Sequence, residues 1–225
     1  MLDFGYYNMD CMEGMREFPD KYFDLAIVDP PYGGVTKGGY MSNQVSGGIA
    51  RNRNDYVLDL WGQEAPSRAY FDELFRVSKN QVIWGGNYFI EQINRNSQCW
   101  LVWDKIKPEG VMYADVELAW TSFDQAAKIF HFTWNGMLQG DMKNKEYKIH
   151  PTQKPKALYK WVLSNYAKPQ DIILDTHVGS ASSLIACEEM GFNYVGFELS
   201  KSYYELSKKR LDTFNAQISL MDFIE

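Results

Sequence analysis

The chain has 225 residues, 45% of them hydrophobic and 23% charged, which suits one large α/β domain with a substantial core and excludes a disordered or fibrous protein. Its net charge of −6 excludes a uniformly basic nucleic-acid binder, so any phosphate contact must come from local patches such as Lys37, Arg51 and Arg53, or Lys143, Lys145, Lys148, Lys154 and Lys156. Cys11, Cys99 and Cys187 are scattered, with no CxxC pair and no clustered histidines, which predicts reduced thiols, a cytoplasmic location and no bound metal.

The opening MLDFGYYNMD has neither the basic nor the apolar stretch of a secretion signal, and no apolar run approaches the roughly 20 residues of a membrane span, so no membrane partner is expected. Leu25–Val28 reads as a buried strand. Residues 33–56 follow with six glycines and no period, which predicts a mobile loop with a functional role, since irregular stretches beyond about 12–15 residues are uncommon in compact domains. Residues 66–78 read as a helix, with Pro66 near its start and Phe71, Leu74, Phe75 and Ser78 at helical spacing. Gln81–Trp84, ended by Gly85-Gly86, and then Cys99–Trp103 and Val116–Trp120 are further strands. Residues 104–113 and 122–149 are irregular, polar and aromatic, and 104–149 as a whole is the expected target-recognition segment. A helix over 156–167 puts Leu158, Trp161 and Val162 on one face. Ile172–Leu174, a helix over 182–190 stopped by Gly191, Tyr194–Phe197, and a helix capped by Ser200 and running to about Arg210 complete the chain. Near-continuously apolar strands alternating with helices predict a doubly wound, mostly parallel α/β sheet, as one domain spanning 1–225.

Chemistry concentrates at Asp29-Pro30-Pro31-Tyr32, directly after the first strand. Ligands of open α/β sheets bind beyond the carboxyl ends of the strands. Two prolines stiffen this corner and remove two backbone donors, leaving acceptors and an aromatic face. An exocyclic amine on a nucleic-acid base needs such a corner. Its lone pair is delocalised into the ring, so a carboxylate and a carbonyl that each accept one N–H pull the nitrogen toward a nucleophilic geometry. An aromatic ring can stack on the extruded base. Asp29, the Pro30 carbonyl and Tyr32 supply these parts. The competing reading is a Pro-Pro turn flanked by an unrelated Asp and Tyr.

The second concentration follows Ile172–Leu174: Asp175-Thr176-His177-Val178-Gly179-Ser180-Ala181-Ser182-Ser183, a turn of mostly small residues opening a helix. About 20 residues on, Glu198 ends the next strand, where an acid binds ribose hydroxyls. The pair reads as a nucleoside half-site, and the absence of G-x-G-x-x-G spacing argues against NAD. The competing reading is an ordinary βαβ unit.

Together these segments resemble the class I S-adenosylmethionine-dependent methyltransferases that modify amino groups in DNA, whose cofactor turn commonly reads Asp-Pro-Phe-x-Gly-Ser-Gly-Thr. The order, catalytic corner first and cofactor turn last, is similar to the permuted β group. The resemblance covers nearly the whole chain. It implies a Rossmann-like, seven-stranded sheet with one antiparallel strand, and catalysis by Asp29, Pro30, Pro31 and Tyr32. It places the cofactor on Asp10 and Cys11, Lys154, Asp175, His177, Gly179, Ser180, Ala181 and Ser182, and Glu198 and Leu199. His150-Pro-Thr-Gln-Lys-Pro155 resembles the segment lining the methionine end of that pocket. Thr176, His177 and Ala181 depart from the family pattern, which bears on cofactor affinity, and His177 is read as a packing residue rather than a base. Trp84, Asn87 and Trp103 are candidates for the base pocket, with buried core the simpler reading for each Trp. The implied substrate is double-stranded DNA, with adenine N6 favoured by Asp-Pro-Pro-Tyr. A homodimer is one implied assembly. The alternatives are a cytosine-N4, RNA or protein-amide methyltransferase, a non-catalytic nucleic-acid-binding homologue, and an unrelated nucleotide-binding enzyme.

Overall fold

A computed structural model describes residues 1–33, 64–111, 113–135 and 138–222. Apart from Gly33, the expected loop 33–56 lies outside the described residues, as do Lys37, Arg51 and Arg53. The elements in chain order are β1 (Gly5–Asn8), α1 (Cys11–Arg16), β2 (Phe23–Val28), α2 (Arg68–Val77), β3 (Ser78–Trp84), a 3-10 turn (Gly86–Tyr88), α3 (Ile90–Ile93), β4 (Leu101–Asp104), β5 (Val116–Thr121), β6 (Lys128–His131), β7 (Trp134–Asn135), β8 (Leu138–Gln139), α4 (Lys156–Tyr166), β9 (Ile172–Asp175), α5 (Ser182–Met190), β10 (Asn193–Glu198) and α6 (Lys201–Asp222).

Eight strands form one sheet in the order β1-β10-β9-β2-β3-β5-β4-β6. β5 runs antiparallel to both neighbours, and every other pairing is parallel. The sheet is buried on both faces. From β2, Ala26 and Val28 join one core with Phe71 and Leu74 of α2, while Leu25 and Ile27 join the other with Leu158 and Val162 of α4. Each apolar strand residue therefore has a layer to enter, which is why these strands read as continuous apolar runs.

Three expectations are corrected. Among the described residues the sheet has eight strands, not seven. The eighth is β6, inside the stretch expected to be irregular; it is four residues long and half exposed at the sheet edge, so no apolar run marked it. A small β7–β8 hairpin lies in the same stretch. Ser78 does not end α2 but begins β3: its backbone is extended and its hydroxyl donates to the Leu74 carbonyl, closing the helix without a loop. The last helix runs on past Arg210 to Asp222.

The site is set by chain direction. β2 connects through α2 to β3 on one side, whereas β9 connects through α5 to β10 on the other. β2 and β9 are neighbours, so a topological switch point lies between them, and the crevice beyond their carboxyl ends is the expected ligand position.

Candidate active site

Asp29 leaves the carboxyl end of β2 and Asp175 is the last residue of β9, so the two acids flank the switch point. The Asp29 charge reaches Asp175 and helps raise its pKa.

Around Asp29 the side chains form a closed set. Tyr32 Oη donates to Asp29 Oδ1 at 2.8 Å. Lys154 Nζ donates to Asp29 Oδ2 at 2.5 Å and to Tyr32 Oη at 3.1 Å. The same ammonium lies 3.0 Å from Glu117 Oε2, and Lys105 Nζ lies 2.6 Å from Glu117 Oε1. β5 is antiparallel, so its first residues reach the edge where the parallel strands end, and this brings Glu117 to the corner. Burial raises the pKa of Asp29, with Lys154 opposing the rise. Burial pushes Glu117 up too, but Lys154 and Lys105 together outweigh it and hold it at about 2. Lys154 keeps its proton above the ordinary range: burial opposes the charge, and Asp29 and Glu117 more than compensate.

Tyr32 is held by its neighbours. Its ring stacks on Tyr88 with centroids 4.9 Å apart and planes at 27°, and meets Phe89 edge-on. It also presses against Gly85, whose φ is +69°; a Cβ there would sit 2.2 Å from Tyr32 Cε1. Position 85 therefore demands glycine both for its left-handed backbone and for the aromatic ring against it.

Across the switch point, the turn between β9 and α5 is organised by two acids. Asp175 Oδ1 accepts from the His177 backbone N–H at 2.9 Å, and Oδ2 from the Ser183 hydroxyl at 2.5 Å. Burial raises Asp175 to about 7. Glu198, at the end of β10, accepts from the Gly179 N–H at 2.8 Å and the Ser200 N–H at 2.9 Å. Ala181 holds a left-handed φ of 61° while fully buried. Ser180 and Ser182 lie under Arg210, which donates to the Ser180 carbonyl at 2.6 Å and the Ser182 hydroxyl at 3.0 Å and pairs with Glu146 at 2.6 Å. His177 is lowered to about 4 by burial, so it is neutral at neutral pH; its Nδ1 lies 2.9 Å from the Thr176 hydroxyl, and its ring meets Tyr70 edge-on. Asp10 caps α1 by accepting from the Met12 N–H at 2.7 Å. Asn8 of β1 donates to the Glu198 carbonyl, which sets the start of α1 beside the Glu198–Leu199 corner, where Leu199 is exposed. Burial pushes the Cys11 thiol up to about 12.

A protein-family model described as a DNA methylase, N6_N4_Mtase, matches residues 87–209. The chain belongs to this N6/N4 DNA methylase family. Over 90% of its length it is 26% identical to the type II methyltransferase M.HinfI of Haemophilus influenzae, and over 31% it is 40% identical to M.HpaI of Haemophilus parainfluenzae; it spans 66% and 22% of those relatives. Two solved structures share the fold: M1.HpyAVI in complex with SAM (22% identity, 91% of this chain and 98% of that one, TM-score 0.56) and the cytosine-N4-specific PvuII DNA methyltransferase (12%, 97% and 93%, TM-score 0.60).

The sequence-predicted residues of this chain fall into two groups along the sheet edge. Asp10, Cys11, Glu198, Leu199 and the Asp175–Ser182 turn lie around the ends of β1, β10 and β9. Lys154 does not join them in this structure. It sits in the Asp29 corner, with its side chain only 4% exposed. Trp84 and Trp103 are fully buried, and the Trp84 indole N–H has no partner among the described residues. The expected basic patch is smaller than it reads. Besides the buried Lys154, Lys156 pairs with Glu189 at 2.5 Å, and Lys148 packs 4.4 Å above Trp134, where burial lowers its pKa to about 8. Lys143 and Lys145 remain exposed.

Sequence reasoning missed Glu117, Lys105, Tyr88 and the steric role of Gly85. A lysine just after one strand and a glutamate inside another were the available signal for the first two, but only the order of strands says that they meet.

Proposed function

We propose that the protein transfers the methyl group of S-adenosylmethionine to the exocyclic amine of a base in double-stranded DNA, with adenine N6 as the acceptor. The observation that carries this reading is the part-buried Asp29 carboxylate, bonded to Tyr32 and Lys154 and set at the switch point beside the Asp175–Ser182 turn. The family supports a DNA amino group as acceptor, and Asp29-Pro-Pro-Tyr32 supports adenine over cytosine.

The residues on the cofactor side fit a cationic nucleoside. Glu198 ends β10 where a carboxylate can accept ribose hydroxyls, Asp10 and Cys11 border the same corner, and Asp29 and Asp175 place carboxyl groups at the crevice where a sulfonium would lie. Bound there, S-adenosylmethionine supplies an electrophilic methyl group. The chain's own residues do the rest. Asp29 and the Pro30 carbonyl accept the two amine N–H groups and aim the lone pair. Tyr32 offers its face to the base, which leaves its helix at a cost of a few kcal/mol. Alignment of donor and acceptor supplies much of the rate. The Asp29 carboxylate, its proton affinity raised by burial, is placed to take the proton that the methylated nitrogen sheds. Exposed Leu138, Met142 and Tyr147, with Lys143 and Lys145, give the segment after β7 the aromatic and cationic groups for contact with DNA.

The test is methylation of a random-sequence duplex with labelled cofactor, followed by digestion to nucleosides and mass spectrometry. N6-methyladenine is the expected product. N4-methylcytosine would reject the adenine assignment but keep the corner; label found only in RNA or protein, or nowhere, would reject the proposal.

A further inference from the structure

An ammonium has three N–H donors, and Lys154 has three oxygens around it: Asp29 Oδ2 at 2.5 Å, Glu117 Oε2 at 3.0 Å and Tyr32 Oη at 3.1 Å. It is not a surface lysine that has folded inward. Its segment is fastened on both sides: before it, the Trp134 indole donates to the Gln153 carbonyl at 2.7 Å, the Gln153 side chain accepts from the Ile149 N–H at 3.0 Å, and the His150 ring packs on Tyr203 with centroids 4.4 Å apart; after it, the Lys156 N–H donates to Glu146 Oε1 at 2.9 Å. The cluster is balanced, with two carboxylates, Asp29 and Glu117, facing two ammonium groups, Lys154 and Lys105. Take Lys154 away and Asp29 is left in a buried corner beside a second negative charge, a setting in which a carboxyl group takes up a proton. A protonated Asp29 has lost part of its capacity to accept from an amine.

We propose that Lys154 is a positioning residue for Asp29: tethered to β5 by Glu117, with Lys105 behind it, its ammonium keeps the corner carboxylate anionic and aimed until the target amine arrives. Because Glu117 still holds the ammonium, Asp29 Oδ2 can pass to the incoming N–H without stranding a buried charge. The bearing of this on catalysis rests on the methyl-transfer reading above; the charge chain itself does not. Among the described residues, the groups that face Asp29 are Tyr32 of the corner, Lys154, Glu117 of β5, Tyr159 of α4, Tyr70 of α2 and Asp175 of β9, and of these Lys154 is the one cation.

The test is a pH titration of Asp29 by carboxyl-13C NMR on the purified full chain, with Asp29→Asn identifying the signal. Lys154→Met should move the Asp29 midpoint up by roughly one to three units, the effect of losing an opposite charge at this range. Glu117→Gln, which removes a like charge and leaves Lys154 to Asp29, should move it down. Lys154→Arg should stay near the wild-type value. A merely structural lysine would not give shifts of opposite sign from the two ends of one ion pair. In turnover, the acid limb of kcat/KM should rise by the same amount in Lys154→Met, while cofactor affinity is kept. An unmoved midpoint in folded Lys154→Met, or an upward shift in Glu117→Gln, overturns the proposal. Midpoints that move as stated in a protein that methylates nothing would uphold the charge chain and reject the methyl-transfer reading alone.

Discussion

Gly85→Ala probes the corner without touching any group that does chemistry. The new Cβ would lie 2.2 Å from Tyr32 Cε1, and ordinary contact begins at 3.4 Å, so the ring must retreat by about 1.2 Å. Gly85 cannot move to meet it, because its backbone N–H is bonded to the Leu118 carbonyl at 2.8 Å and its φ is +69°. Tyr32 carries the hydroxyl that fixes Asp29 Oδ1, so the carboxylate loses its orientation with the ring. A misplacement of about 1 Å at a reacting centre costs on the order of 100-fold in rate. The left-handed backbone adds roughly 1–2 kcal/mol of strain, offset in part by about 0.4–1 kcal/mol from the smaller freedom of alanine in the unfolded chain. The expected result is a fall of about 100-fold in kcat/KM with a stability loss near 1 kcal/mol, while cofactor affinity by calorimetry is unchanged because the Asp175 turn lies across the switch point. Methylation within a few-fold of wild type would refute the claim that the Tyr32 ring position governs the corner.

Asp29→Ala removes the proposed acceptor: methyl transfer should disappear while labelled cofactor still binds, and retained turnover would take Asp29 out of the reaction. Asp175 bears on the pH dependence of stability. Its carboxyl is raised to about 7 in the folded chain against ~3.9 unfolded, so the folded state binds the extra proton and stability falls as pH rises from about 4 to about 7. Asp175→Asn should flatten that limb in thermal melts, and an unchanged slope would show that the group is ionised throughout. Glu117 acts in the opposite sense and in another window: held at about 2, it contributes stability that is lost only as pH drops from about 4.5 through 2. Ala181→Gly relieves a left-handed φ of 61°, so denaturant unfolding should show a gain of roughly 0.5–1 kcal/mol, and a clear loss would mean that the buried methyl group outweighs the strain.

Much of this protein is written locally. The buried strands β2, β3, β9 and β10 are marked by apolar runs, α5 by the glycine that stops it, and the Asp29 corner by two prolines after a strand. Each of these depends on the conformational preferences of a few adjacent residues. The edge strand β6 left no such mark, because a four-residue strand packed on one side only needs no apolar run. The partner of Asp29 was beyond reach for a different reason. Lys154 lies 125 residues away in the chain, and Glu117 reaches the same point only because β5 is inserted antiparallel, so that its start meets the ends of its neighbours. Residue spacing carries propensity and turn chemistry, whereas the meeting of these four charges is decided by strand order and direction, which exist only once the sheet has assembled.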